Sequence, residues 1–281
     1  MIKLKLSKFA EIIDGKISGL DSDKSYSLSA VIDSRKAKPN TFFVAFKGEK
    51  LDGHDYALAA IELGAEFALT SRPISGPHIL VSDVQIALTK LAKYNRDHLS
   101  ELKVVAITGS QGKTTAKDLT AHLLQVLGKT IAPEASLNNE LGVPLLLLQC
   151  DESTKYCVVE MGARHKGDIA KLTELASPNI GLVLNVGTAH LGEFGSQEAI
   201  AETKSELIAG LPENGIAILG TYDQFTPKMS AGMDLKTVYF GERSDCDVRA
   251  SDIEIREGRA NFDLVTSGGR APVSLQLLGA H

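Results

Sequence analysis

The sequence predicts an α/β protein with a small N-terminal α/β domain, residues 1–100, followed by a larger domain, residues 101–281. From residue 103 onward, near-continuous apolar segments of strand length alternate with helical segments. This alternation is typical of a mostly parallel sheet covered by helices on both faces. One apolar segment also runs directly into a glycine-rich turn and then a helix, which is a strand–loop–helix unit of the same class.

Three apolar segments of the first domain predict strands, and two further segments predict helices. The strands are 30–33, 41–46 and 66–70, and the helices are 56–63 and 84–98. Gly64 follows the first helix at the position where glycine commonly ends helices. The polar run 97–101 predicts a hinge before the second domain.

The second domain is predicted to alternate strands with helices. Its strands are 103–108, 156–160, 180–186 and 215–219, and two of its helices are 168–176 and 197–209. A further helix follows the first strand and ends at Gly128, with these apolar residues on one face: Ala116, Leu119, Leu123, Leu124 and Leu127. After Lys236, short alternating segments with turns at 257–258 and 267–269 predict hairpins.

Composition excludes several classes of protein. The net charge of −5, with lysines and arginines interleaved among acids, gives no reason to expect a nucleic-acid partner. No apolar segment is long enough to cross a membrane, and the N-terminus lacks the pattern of a signal peptide. The odd count of cysteines (Cys150, Cys157 and Cys246) predicts reduced thiols. We therefore expect a cytoplasmic protein.

The segment 108–115, Thr-Gly-Ser-Gln-Gly-Lys-Thr-Thr, predicts a phosphate-binding loop. Successive backbone N–H groups and the start of a helix favour anionic oxygens at such a turn. Lys113 adds a positive charge, and the hydroxyl of Thr114 is a suitable ligand for Mg²⁺. The sequence thus predicts that the chain binds a nucleoside triphosphate.

Polar residues lie at the ends of two predicted strands that are successive in the chain. Glu160 ends one strand, and Asn185 lies at the end of the next, with His190 in the loop that follows. The carboxyl ends of parallel strands meet at one edge of a sheet, where ligands bind. A carboxylate and an imidazole beside a triphosphate suit Mg²⁺, although a helix-terminal carboxylate and a capping or core histidine are alternatives.

Lys204 is predicted to point inward. It lies four residues after Ile200, on the apolar face of the helix 197–209. Desolvation lowers the pKa of such a lysine, and a neutral amine reacts with CO₂ to give a metal-binding carbamate. The alternative is a side chain whose charged end reaches water.

These motifs resemble those of the Mur ligase superfamily, ATP-dependent enzymes that form amide bonds. In most phosphate-binding loops the first glycine stands five residues before the second. Here that position is Ile107, and the first glycine is Gly109, which is similar to the loop of that family. Similar segments of the second domain are 138–144, 160–169, 185–196 and 201–206. The segments 33–35, 46–48 and 52–54 resemble the uridine-nucleotide domain of the same family.

The resemblance implies roles for individual residues. The ATP phosphates would contact Thr108, Gly109, Ser110, Gln111, Gly112, Lys113, Thr114 and Thr115. The catalytic residues would be Lys113, Asn139, Glu160, His190 and Lys204. Two Mg²⁺ ions would be held by Thr114, Glu160, His190 and a CO₂-derived carbamate on Lys204. The uridine substrate would contact Ser34, Arg35, Lys47 and Gly48, and Asn138 would contribute to substrate binding.

The resemblance further implies the reaction. The branch with these motifs joins D-alanyl-D-alanine to UDP-MurNAc-tripeptide through an acyl phosphate, a step of peptidoglycan synthesis on which cell shape and division depend. The family's ATP domain continues past the pattern at 277–281, and a C-terminal domain binds the amino substrate. We therefore expect a truncated, monomeric chain that binds the UDP substrate and is a poor ligase alone. The alternatives are a third-residue-adding ligase, a folylpolyglutamate synthetase, or a nucleotide-binding fragment without catalysis.

Overall fold

The computed structural model describes residues 1–48, 51–133, 137–189 and 191–278. The chain forms two compact units. The first comprises Met1–Leu102 and Leu123–Cys157, and the second comprises Lys103–His122 and Val158–His281. The division into domains at residue 100 stays a prediction, and it did not anticipate that a later segment of the chain joins the first unit.

The helices and strands follow in chain order. The strands are β1 (Leu4–Lys5), β2 (Lys16–Ser18), β3 (Ser25–Tyr26), β4 (Ser29–Val31), β5 (Thr41–Val44), β6 (Ala68–Thr70), β7 (His78–Leu80), β8 (Lys103–Thr108), β9 (Thr130–Ile131), β10 (Tyr156–Glu160), β11 (Ile180–Val183), β12 (Ile216–Gly220), β13 (Lys236–Gly241), β14 (Val248–Arg256), β15 (Arg259–Thr266) and β16 (Gly269–Leu278). The α-helices are α1 (Leu6–Ile12), α2 (Ala57–Glu62), α3 (Val84–Asp97), α4 (Lys113–Gln125), α5 (Gly142–Leu147), α6 (Asp168–Ala176), α7 (Leu191–Phe194) and α8 (Gln197–Ala209).

The first unit is built on a five-stranded sheet in the order β2-β7-β6-β5-β4. The strands β4, β5, β6 and β7 are parallel, and β2 pairs antiparallel with β7. All four residues of β5 are buried, as expected for a central parallel strand. The carboxyl ends of β4, β5 and β6 therefore meet at one edge of this sheet.

Two clusters hold the first unit together. Phe9, Phe42 and Phe67 pack with ring centroids 5.3 to 5.6 Å apart. The buried amide of Asn95 accepts from the N–H of Ile2 and donates to the carbonyls of Leu147 and Cys150. Asn95 thereby joins the N-terminus and the segment after α5 to helix α3.

The second unit is built on a mostly parallel sheet, as predicted, in the order β16-β15-β14-β13-β12-β11-β8-β10. The strands β8, β11, β12, β13 and β14 are parallel neighbours, and β15 and β16 continue antiparallel. In the first unit, β9 pairs in parallel with Tyr156 and Cys157 at the start of β10. The loops after β8, β11 and β12 thus lie at one edge of the second unit's sheet.

Most predicted elements are present with shorter ends. The strands predicted at 41–46 and 180–186 end at Val44 and Val183, because the chain turns into loops at the sheet edge. The hairpin turns at 257–258 and 267–269 are present, but β13 pairs in parallel with β12 and belongs to no hairpin. Some short elements were not predicted, namely helices α1, α5 and α7 and strands β1, β2, β3, β7 and β9.

Helix α4 differs most from its prediction. Its apolar face is not its buried face, since Leu119, Leu123 and Leu127 are 41%, 68% and 69% exposed. The buried positions of this helix are Lys117 and Ala121. Hydrophobic spacing therefore identified the helix correctly but not the side that packs against the protein.

Two further expectations concern the membrane and the thiols. Among the described residues, no helix combines the length and apolar character that a membrane crossing requires. Cys150 and Cys157 are buried free thiols, and Cys246 is a partly exposed one. No disulfide joins these three described residues, and their reduced state in the cell stays a prediction.

Candidate active site

The predicted phosphate-binding loop joins β8 to α4 in the second unit. Gly112 has a φ of +79°, a backbone conformation that glycine adopts without strain. A Cβ at Gly109 would lie 2.9 Å from the Cβ of Leu184, so only glycine allows the loop to approach β11 this closely. Thr108 ends the strand, and Lys113, Thr114 and Thr115 open the helix.

Asn185 holds this loop from the neighbouring strand. Its side-chain oxygen accepts from the N–H groups of Ser110 and Gln111, both at 3.1 Å. Its backbone carbonyl accepts from the same N–H of Ser110 at 3.0 Å. The hydroxyl of Ser110 in turn accepts from the N–H of Gly187 at 2.8 Å. The loop's shape is therefore fixed by β11, the strand beside β8.

Lys113 lies across the loop that precedes it. Its Nζ donates to the carbonyl of Gly109 at 2.8 Å and reaches the carbonyl of Ser110 at 3.5 Å. Burial lowers the pKa of Lys113, and the nearby carboxylate of Glu160 opposes this shift. A positive charge is thus held among backbone groups and beside one carboxylate.

Thr114 and Glu160 meet at the carboxyl edge of the sheet. The hydroxyl of Thr114 donates to Oε2 of Glu160 at 3.1 Å, and Glu160 is only 1% exposed. A hydroxyl and a carboxylate are hard oxygen donors of the kind that Mg²⁺ prefers. These two residues fit a magnesium site, although within the described residues no group of three or more acidic, histidine or cysteine side chains is arranged so that it could hold a metal ion.

Lys204 points inward from α8, as the sequence predicted. It is 9% exposed, and burial together with the positive charge of Lys113 lowers its pKa to about 8. Within the ranges that the structure describes, no acidic side chain forms an ion pair with it. Lys204 is therefore a buried amine close to the cation of the phosphate-binding loop.

Asp223 is a residue of this edge that the sequence reasoning missed. Its carboxylate accepts from the N–H of Val186 at 2.8 Å and from the N–H and hydroxyl of Thr226, both at 2.8 Å. It thereby holds the loop after β11 from the end of β12. The signal was available, because Asp223 follows a predicted strand just as Asn185 does.

The first unit carries the residues predicted to bind the uridine substrate. Ser34 and Arg35 follow β4, and Lys47 and Gly48 follow β5, so all four lie at the carboxyl edge of parallel strands. The exposed guanidinium of Arg35 forms two hydrogen bonds with the carboxylate of Asp33, at 2.9 and 2.8 Å. The structure thus brings these four residues to one sheet edge.

The remaining predicted site residues are Asn138, Asn139 and His190. Asn139, in the first unit, accepts from the N–H groups of Leu141 and Gly142 and lies in the turn that precedes α5. Asn138 precedes it and is partly buried. His190 lies outside the described residues. The catalytic and substrate-binding roles of these residues stay predictions.

Models of two protein families match the chain. The one described as "Mur ligase family, catalytic domain" matches residues 30–146. The one described as "Mur ligase middle domain" matches residues 107–281, more than half of the chain. The chain belongs to the Mur ligase family. The resemblance inferred from the motifs is confirmed.

Members of the Mur ligase family with known names extend this result. The UDP-N-acetylmuramoyl-tripeptide–D-alanyl-D-alanine ligase of Escherichia coli is 38% identical over the whole chain, which spans 62% of that relative's length. A crystal structure of MurF from Acinetobacter baumannii has a TM-score of 0.87 at 33% identity, covering 99% of this chain and 61% of that one. MurF ligase from Thermotoga maritima, in complex with ADP, has a TM-score of 0.75 at 32% identity, covering 88% and 58%.

Proposed function

We propose that this protein acts in the ATP-dependent joining of D-alanyl-D-alanine to UDP-MurNAc-tripeptide, a ligase reaction of peptidoglycan synthesis. The observation that carries the proposal is the arrangement of Lys113, the Thr114–Glu160 pair and Lys204 around one phosphate-binding loop. The similar ligases of Mycobacterium tuberculosis and Escherichia coli, of which this chain spans 61% and 62%, are named for this reaction. Adenine nucleotide binding is supported by the ADP complex of the Thermotoga maritima relative.

The two predicted domains would each bind a different substrate. We propose that the first domain, residues 1–100, binds the uridine nucleotide through Ser34, Arg35, Lys47 and Gly48. The second, residues 101–281, would bind ATP through the loop 108–115 and the ammonium of Lys113. Asn138 and Asn139 would contribute to substrate binding and to the contacts of the reacting groups.

The chemistry needs positive charge, because a carboxylate that attacks a triphosphate is repelled by it. Lys113 supplies one cation, held over the loop by the carbonyl of Gly109. When bound, Mg²⁺ supplies further neutralisation of the phosphate oxygens. Thr114 and Glu160 would hold one ion, and His190 and Lys204 a second. The substrate carboxylate would attack the γ-phosphorus of ATP, which forms the acyl phosphate and releases ADP. The amine of D-alanyl-D-alanine would then attack the acyl carbon, which forms the amide and releases phosphate and a proton.

Lys204 would serve as a ligand only after losing its positive charge. With a pKa of about 8, about a tenth of this lysine is neutral at pH 7, far more than for an exposed lysine. A neutral amine is the form that adds CO₂. We therefore propose a carbamate on Lys204, which would turn a buried cation beside Lys113 into an anion.

The test is calorimetric titration of the chain with UDP-MurNAc-tripeptide, with UDP-MurNAc-dipeptide and with Mg-ADP. Tighter binding of the tripeptide than of the dipeptide, together with binding of Mg-ADP, supports the proposal. Tighter dipeptide binding indicates a third-residue-adding ligase. Nucleotide binding without any uridine ligand indicates a folylpolyglutamate synthetase or a nucleotide-binding fragment, and it refutes the proposal. A coupled phosphate-release assay with D-alanyl-D-alanine measures whether this chain turns over.

A further inference from the structure

Asp52, His54 and Ser71 form a hydrogen-bonded array in the first unit, in the order familiar from serine hydrolases. Nδ1 of His54 lies 2.5 Å from Oδ1 of Asp52. Nε2 of the same ring lies 2.9 Å from the backbone N of Ser71 and 3.2 Å from its hydroxyl oxygen. The imidazole is 95% removed from solvent, since His54 is 5% exposed.

The backbone contact decides how this array works. A backbone N–H only donates, so Nε2 of His54 is the acceptor and its proton lies on Nδ1, which donates to Asp52. The lone pair that a general base would offer to the Ser71 hydroxyl is already directed at the Ser71 N–H. The array therefore carries no activated nucleophile, and the imidazole serves as a bridge between two backbone segments.

The first of these segments is the loop after β5, which carries Lys47 and Gly48. The backbones of Asp52 and Lys47 form an antiparallel β-bridge, and the N–H of Gly53 donates to the carbonyl of Phe46 at 2.7 Å. A Cβ at Gly53 would lie 2.6 Å from that carbonyl oxygen, so the two ends of the loop touch. Asp52 also accepts from the N–H of His54 at 3.0 Å, which fixes its carboxylate.

The second segment is the end of β6, the parallel neighbour of β5. Ser71 follows Thr70, the last residue of that strand, at the same edge where Lys47 and Gly48 lie. His54 thus ties the loop to a rigid strand end through two hydrogen bonds of its ring. Lys47 and Arg72, which adjoin the residues linked by His54, are exposed to solvent.

We propose that His54 is a positioning residue for uridine-nucleotide binding, which holds the loop ends 46–48 and 51–53 in their binding geometry. This inference rests on the proposed function. Its physical basis is preorganisation: a loop that is already ordered loses less conformational entropy when a ligand binds. His54 acts through the loop and makes no contact with the nucleotide itself.

The experiment compares three variants with the wild-type chain. His54→Phe keeps an aromatic ring, somewhat larger than imidazole, and removes both hydrogen bonds, whereas the amide of His54→Gln can still accept from Ser71 and donate to Asp52. His78→Phe is the matched control, because His78 is 4% exposed in the same sheet, its ring bonds the backbone carbonyl of Gly76, and it begins its strand at the opposite edge. The readouts are calorimetric Kd values for UDP-MurNAc-tripeptide and Mg-ADP, and hydrogen exchange of 46–48 and 51–53.

We expect His54→Phe to weaken UDP-MurNAc-tripeptide binding by about tenfold or more, with faster exchange in the loop and an unchanged Kd for Mg-ADP. His54→Gln should restore most of the affinity, and His78→Phe should lower thermal stability without weakening binding. Wild-type affinity and exchange in His54→Phe, or an equal loss of affinity in His78→Phe, overturn the inference. If the wild-type chain itself binds no uridine nucleotide, the proposed function fails, and the inference fails with it.

Discussion

The hydroxyl of Thr114 donates to the carboxylate of Glu160 across 3.1 Å, between the first turn of α4 and the end of β10. The two residues are 46 positions apart in the chain. Their meeting places a buried carboxylate beside the phosphate-binding loop, and it gives the proposed magnesium site two oxygen donors.

Replacement of Glu160 by Gln should weaken Mg²⁺-dependent nucleotide binding. The amide keeps the shape and accepts from Thr114 but lacks the negative charge that a divalent cation needs. We expect the Kd for Mg-ADP to rise by about tenfold, with little change for ADP in the presence of EDTA. The control is Glu174→Gln, an exposed position of α6. Equal losses with and without Mg²⁺ would contradict a role in metal binding.

Replacement of Lys204 by Met should stabilise the protein at neutral pH. The pKa of Lys204 is about 8 in the fold and 10.5 for an ordinary lysine, so the unfolded chain binds more protons between these values. The free energy of unfolding of the wild type therefore rises with pH from about 8 to about 10.5. Below pH 8, the buried charge costs about 3 kcal/mol at most.

Urea denaturation in CO₂-free buffer at several pH values measures this effect. Lys204→Met should be the more stable protein at pH 7 and should lack that part of the rise. Lys171→Met, at an exposed position of α6, is the control and should follow the wild type. A variant whose stability rises with pH as steeply as the wild type would refute the buried-amine assignment.

Replacement of Asn185 by Ala should loosen the phosphate-binding loop. The change removes the acceptor shared by the N–H groups of Ser110 and Gln111, and it should cost about 1–3 kcal/mol of stability and weaken ADP binding. Asn179→Ala is a close control, since Asn179 accepts from the N–H of Val104 at 2.8 Å at the other end of the same strand. Denaturation and calorimetry should give similar stability losses but an affinity loss only for Asn185→Ala.

Replacement of Asn95 by Leu should destabilise the first unit. Leu has a similar branched shape but no polar atoms, so it leaves the N–H of Ile2 and the carbonyls of Leu147 and Cys150 without the partner they have now. We expect a loss of about 3 kcal/mol in urea denaturation. Gln125→Leu, an amide change at an exposed helix position of the same unit, should change stability by under about 0.5 kcal/mol. Equal effects of the two changes would argue against a buried network.

The predictable parts of the site are those that lie close together in the sequence. The loop 108–115 needs glycine at two backbone positions and a lysine at the start of a helix, so its residue types alone indicate its chemistry. Glu160 and Asn185 were found because strands of a parallel sheet end at one edge. Asp223 obeys the same rule and was missed because the loop after β12 carries no familiar motif.

The limits of the sequence are clearest in helix α4. Its leucines have the spacing of a buried face, yet Leu119 and Leu123 are exposed and Lys117 is buried. Helical spacing tells which residues share a face but not which face meets the rest of the protein. That choice depends on the direction in which the helix leaves a loop whose N–H groups are held by Asn185, a residue more than 70 positions away in the chain.

The sequence by itself determined the fold class, the phosphate-binding loop, the family and the inward position of Lys204, because each depends on residue types at short, fixed spacings. Only the tertiary structure decided that 123–157 joins the first unit, that Thr114 meets Glu160, and that His54 bridges Asp52 to Ser71. These contacts join residues from separate segments of the chain. Their geometry depends on the packing of whole sheets and helices, which no local pattern of residues encodes.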